Sequence, residues 1–135
     1  MRRLDWINLI VAALLLTGCD NRVNVAIAPT PVKIVAEKAG HGRPVRHGDL
    51  TTISYRMMLP NGKVLLHDSE FKFLVDTKQP TVIQGINDTV IGMRIGGTRT
   101  IDCPPRLHWG RLGSGDGKIP ANTNLIIRIK LLAVE

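Results

Sequence analysis

From Leu50 to Leu59 the chain alternates: Thr51, Ile53, Tyr55, Met57 and Leu59 share one side, and Thr52, Ser54, Arg56 and Met58 share the other. A period of two with one apolar face predicts a half-buried strand, because successive side chains of an extended backbone point to opposite faces. Pro60-Asn61-Gly62 follows. Asn-Gly predicts a tight hairpin, since both residue types tolerate positive φ. The return strand is expected over 63–68, with another short strand over 71–75. Leu125 to Val134 repeats the alternation, with Leu125, Ile127, Ile129 and Leu131 inward and Arg128 and Lys130 outward. Thr98 to Cys103 reads as a strand stopped by Pro104-Pro105. Val32 to Glu37 reads as a first short strand, followed by turn residues Gly40, Gly42, Pro44 and Gly48.

One segment changes period. Between Gln84 and Met93, Ile86, Val90 and Met93 recur at i, i+4 and i+7, a single apolar stripe that predicts a helix. Gly96-Gly97 then turns the chain, and Trp109 to Ala121 is a long loop with four glycines. The pattern predicts an α+β fold: an antiparallel sheet of about five strands wrapped on one short helix. That helix must cover the apolar face of the sheet, because nothing else in the sequence can.

The first eighteen residues follow a different logic. Arg2 and Arg3 precede an apolar run from Ile7 to Leu16. The run is too short to cross about 30 Å of hydrocarbon, which takes roughly 20 helical residues, so it reads as a secretory signal. Leu16-Thr17-Gly18-Cys19 resembles the bacterial lipobox. That resemblance implies cleavage before Cys19 and acylation of its thiol, with palmitate as an expected chain. An ordinary cleaved signal with a chance cysteine is the alternative. Asp20 favours retention in the inner membrane by the sorting rule of enteric-type bacteria. The expected organisation is a signal over 1–18, a lipidated N-terminus and tether over 19–31 ending Ala28-Pro29-Thr30-Pro31, and a folded domain over 32–135. The protein is expected on the periplasmic side of a bacterial membrane.

Composition adds little to the fold and more to the setting. The 135 residues suit one domain, and 44% hydrophobic content is enough for a core although aromatics reach only 4%. The formal charge is +7, and loss of residues 1–18 removes Arg2, Arg3 and Asp5, leaving +6. Outside the cytoplasm nucleic acid is not the expected partner. A basic surface there helps a tethered domain face anionic headgroups, or is simply a solvated face. With Cys19 lipidated, Cys103 has no partner and reads as a small buried hydrophobe. His41, His47, His67 and His108 show no close ligand spacing, so no metal and no cofactor are expected.

Over about residues 33–135 the ordered motifs resemble the FKBP-type prolyl isomerases. Gly40-His41-Gly42 stands at the family's Gly-x-Gly turn, Leu59-Pro60-Asn61-Gly62 at its hairpin, and Phe71-Lys72-Phe73 at its Phe-x-Phe strand. Val82-Ile83-Gln84-Gly85 resembles the family's helix start. Gly92-Met93-Arg94-Ile95-Gly96-Gly97-Thr98-Arg99 is close to Gly-Met-x-x-Gly-Gly-x-Arg. Pro104-Pro105-Arg106-Leu107-His108-Trp109-Gly110 aligns with Pro-Pro-x-x-x-Tyr-Gly, and Ile119-Pro120 opens the match to Ile-Pro-x-x-x-x-Leu.

The resemblance implies a proline pocket walled by Tyr55, Leu66, Phe71, Val82, Ile83, Ile86, Trp109, Ile119 and Ile127. In this reading the Ile83 N–H holds a substrate carbonyl and Asp68 is the pocket acid, paired with Tyr55. Without the resemblance the apolar members would read as ordinary core. Departures from the family pattern make the pocket more aliphatic: Ile86 stands where many members have tryptophan, Ile127 for a phenylalanine, and Trp109 for the usual tyrosine. Depending on the gap, Leu66 or His67 replaces the phenylalanine before the acid. The expected function is X–Pro isomerisation during folding of exported proteins, weakened by these substitutions. The alternative is a catalytically weak or inactive binding or chaperone module in a membrane-tethered assembly. Expected partners are proline-containing segments of exported proteins and the membrane reached through the anchor, the protein itself being a monomer.

Overall fold

The computed structural model describes residues 32–135, and the expected signal, the lipidation of Cys19 and the tether lie outside them. Five strands and one helix follow in order: β1 Lys33–Lys38, β2 Leu50–Met58, β3 Val64–Leu74, α1 Gln84–Val90, β4 Thr98–Cys103 and β5 Leu125–Val134. A 3-10 turn spans Pro105–Leu107 between the last two strands. The sheet order is β1-β4-β5-β2-β3, with every neighbouring pair antiparallel. The α+β expectation of about five antiparallel strands and one short helix is met. No helix among the described residues is long and apolar enough to cross a membrane.

The apolar alternation becomes the inner face of the sheet. Ile53, Ile101, Leu125, Ile127, Ile129 and Leu131 are all fully buried, and α1 packs on β4 and β5 through Ile86 and Val90. The core runs from Val45 to Leu131, so residues 32–135 carry their own closed hydrophobic interior, as an independently folding domain must. Gly85 sits where α1 comes closest to the sheet. A Cβ there would lie 2.5 Å from Cys103 Sγ, so only glycine lets the helix lie this low. Cys103 itself is free and fully buried, and burial pushes its thiol up to about 12.

Three expectations about local structure need correction. The two strands expected over 63–68 and 71–75 are one strand, β3, with a bulge: Ile53 faces Phe71 and Tyr55 faces Asp68, so Ser69 and Glu70 together oppose Ser54. Asp68 Oδ1 accepts the Glu70 N–H at 2.9 Å, fixing the extra residue. The hairpin is not a turn with two positive φ values. Only Gly62 has one, at 90°, while Gly62 N–H donates to Leu59 O at 2.8 Å. Pro60, with its φ fixed near −65°, suits an ordinary turn followed by a left-handed glycine. Finally, the helix ends at Val90 rather than Met93. Gly92 takes φ 81°, and Gly92 and Met93 exchange backbone hydrogen bonds with Val45. Met93 still fills the core from beyond the helix end.

Candidate active site

Tyr55 on β2 and Phe71 on β3 are half-buried and meet edge to face, their ring centroids 5.6 Å apart at 85°. Phe73 stacks on Phe71 at 5.8 Å and is buried beneath. The β3 bulge shifts the side-chain parity, so that Asp68 rather than Ser69 stands opposite Tyr55. Burial first, and the Asp68 charge second, push the Tyr55 hydroxyl above its usual range. No hydrogen bond joins the two groups, so Asp68 acts on Tyr55 through space. Leu66 lies half-buried in the next row, where β3, β2 and β5 align Leu66, Met57 and Ile127.

The start of α1 supplies a second part. Ile83 is the residue before the first helical turn, in extended geometry with φ −56° and ψ 142°. Its carbonyl accepts from Ile86 and Asn87 N–H, whereas no hydrogen bond of the described residues engages its own N–H. That free donor is a consequence of helix geometry, which leaves the first N–H groups without internal partners. Val82 and Ile83 are half-buried, so an apolar surface flanks the donor.

Trp109 follows the 3-10 turn and is held by a residue that the sequence offered only as a metal candidate. The Trp109 N–H donates to His108 Nδ1 at 2.8 Å, and His108 Nε2 lies 2.7 Å from Thr123 O. Because Nδ1 accepts, the proton sits on Nε2 and donates to the carbonyl. Asn122 N–H donates to Gly110 O at 2.8 Å beside it. His108 therefore ties the Trp109 arm to the loop before β5. Burial pushes its imidazole below 6.5. Nothing in the local sequence signalled this bridge, because Thr123 O is a backbone atom brought near only by the fold.

The structure sorts the residues implied by the resemblance into two layers. Tyr55, Leu66, Asp68, Phe71, Val82, Ile83 and Trp109 are half-buried. Ile86, Ile119 and Ile127 are at most 2% exposed and belong to the core. Among the described aromatic residues, Tyr55 groups with the phenylalanines, whereas the Trp109 ring has His108 as its ring neighbour at 6.2 Å. The aromatic wall is thus two patches rather than one. Among the described residues no three His, Cys, Asp or Glu side chains gather as a metal-binding group.

Comparison with known proteins agrees with this geometry. Residues 41–132 match the family described as FKBP-type peptidyl-prolyl cis-trans isomerase. FK506-binding protein 4 of Chaetomium thermophilum is 38% identical over 107 residues, covering 77% of this chain but 21% of that relative. The chain thus spans about a fifth of that relative's length. FK506-binding protein 1A of Neurospora crassa is 31% identical over 107 residues, 77% of this chain and 88% of that one. Among solved structures, FkpA from Escherichia coli superposes with a TM-score of 0.64 at 26% identity, covering 77% of this chain and 47% of that one. AtFKBP13 gives a TM-score of 0.65 at 28% identity over 74% and 90%. Sheet order, the free donor at the helix start and the sequence match converge: the chain belongs to the FKBP-type peptidyl-prolyl cis-trans isomerase family.

Proposed function

We propose that this domain catalyses cis–trans isomerisation of X–Pro bonds in exported proteins, working from a lipid anchor on Cys19 at the periplasmic face of a bacterial membrane. The observation that carries this reading is the unengaged Ile83 N–H set between half-buried apolar side chains. Rotating an amide loses resonance worth about 18–20 kcal/mol, and each 1.36 kcal/mol removed from the barrier is a factor of ten in rate. No bond is made or broken, so no nucleophile or metal is needed. The apolar patches take the proline ring out of water, where the planar amide, being more dipolar, loses more solvation than the twisted one, so the barrier between them falls. The Ile83 N–H holds a substrate carbonyl, and this shape is bound better than either planar form. Burial, and after it the Asp68 charge, keeps the Tyr55 hydroxyl protonated and able to donate.

Activity is expected to be weak. Ile86 and Ile127 are aliphatic core positions with no ring to stack on the proline, and the aromatic wall is divided. That same division favours the second reading, a binding or chaperone module that keeps the fold without efficient turnover. An isomerase assay on residues 32–135 with several X–Pro peptides decides between them. Acceleration above the uncatalysed rate that falls about tenfold in Trp109→Ala supports the enzyme. A folded domain with no acceleration on any peptide rejects it in favour of the binding module.

A further inference from the structure

The sheet has a second face, and its charges are arranged differently from those elsewhere in the domain. Ile127, Ile129 and Leu131 point inward, so Arg128 and Lys130 of β5 point outward, away from α1. Antiparallel pairing places Arg56 of β2 directly opposite Arg128, and Ser54 directly opposite Lys130. On the flanks, His67 of β3 faces Arg56 and Thr98 of β4 faces Lys130. Two arginines directly opposite each other repel.

Some other cations of the domain are offset, though others at its surface, such as Lys63 and Lys78, are also without an ion pair among the described residues. Arg43 pairs with Asp49 at 2.6 Å, Lys72 with Glu135 at 2.9 Å and Arg99 with Glu37 at 2.7 Å. Arg56, Arg128 and Lys130 have no ion pair among the described residues. They line an open groove of about 350 Å³, to which Ser54 and Thr98 add hydroxyls. The groove also reaches Tyr55 and Asp68 of the candidate site; Asp68 is its one carboxylate, and its Oδ1 already accepts the Glu70 N–H. Three cations in the lining make the groove a better seat for an anion than for a proline ring.

We propose that this outer face docks on a membrane surface through the phosphates of anionic phospholipid headgroups, held by Arg56, Arg128 and Lys130. The geometry fits that occupant. The groove opens to solvent beside the outward side chains of β2 and β5, within reach of groups presented in a plane. Guanidinium forks match phosphate oxygens two at a time. An anion between Arg56 and Arg128 turns their repulsion into a shared attraction. Docking by this face leaves the start of α1 free, while it approaches the candidate site at Tyr55 and Asp68. The inference requires neither lipid on Cys19 nor isomerase activity.

The test uses residues 32–135, without lipid, in sedimentation with vesicles of phosphatidylcholine alone and of phosphatidylcholine mixed with phosphatidylglycerol. Binding is expected only to the mixed vesicles. It should weaken as salt rises from about 0.01 M to about 0.15 M, where the screening length falls from roughly 30 Å to 8 Å. The triple substitution Arg56→Gln, Arg128→Gln, Lys130→Gln should cost about a hundredfold in affinity, at about 1 kcal/mol per cation and 1.4 kcal/mol per factor of ten. Its thermal melting and isomerase rate should stay at the parent values. A control with equal net charge, Lys63→Gln, Lys78→Gln, Arg111→Gln, should keep binding within a few-fold. Absence of binding to mixed vesicles, or equal loss in the control, would overturn the proposal. So would tighter binding of single-stranded DNA through the same three residues, which reassigns the face to a soluble polyanion.

Discussion

His108 joins chemistry to architecture through two ring nitrogens. Neutral, it accepts from the Trp109 N–H and donates to Thr123 O. Protonated, it carries a second N–H that points at the Trp109 donor, and the bridge is lost. Burial holds the folded imidazole below its ordinary 6.5, so the unfolded chain binds the proton first. The contribution to stability is therefore complete above pH 6.5 and is lost as pH falls through the folded value. Residues 32–135 contain Trp109 as their single tryptophan. Its fluorescence on acid titration is expected to change with a midpoint below 6.5, and His108→Gln should remove that step. A midpoint at or above 6.5 would refute the bridge. If Trp109 serves the pocket, isomerase activity should fall over the same range.

At the scale of elements, Arg99 connects three of them. From β4 its Nη1 donates to Thr89 O and Ile91 O, at 2.7 and 2.8 Å, taking up carbonyls at the end of α1. Its Nε donates to Glu37 on β1 at 2.7 Å. Helix ends leave carbonyls without partners, and the positive guanidinium also complements the negative end of the helix dipole. Arg99→Met should cost about 1.5–3 kcal/mol in urea denaturation, the range for hydrogen bonds involving a charged group. A loss below about 0.5 kcal/mol would place Arg99 with ordinary surface cations. Arg99→Lys should recover only part, because an ammonium lacks the planar fork.

For the molecule as a whole, the sheet and α1 share one core. Ile86 and Val90 from the helix are buried with Ile101, Ile127 and Ile129 from the sheet, with no separate cluster among the described residues. A core of that kind unfolds as a unit. Circular dichroism, which reports the sheet, and Trp109 fluorescence, which reports the arm before β5, should give one coincident urea transition for residues 32–135. Separate midpoints would mean that the arm loosens independently of the core.

The alternation in 50–59 and 125–134, the helical stripe at Ile86 and Val90, and the turn at Pro60–Gly62 were all legible in the sequence. Each rests on chain-local geometry, the period of a strand or a helix and the φ preference of proline and glycine. The motif order also carried the family. The tertiary structure decided what depends on pairing between distant segments. Register placed a bulge in β3 that joined two expected strands and set Asp68 opposite Tyr55. Hydrogen bonds to Val45 ended α1 a turn early. Burial divided the residues implied by the resemblance into half-buried ones and the core positions Ile86, Ile119 and Ile127. The register of β2 against β5 brought Arg56 to Arg128, an encounter no local pattern encodes, because a residue's period fixes its face but not which residue stands beside it.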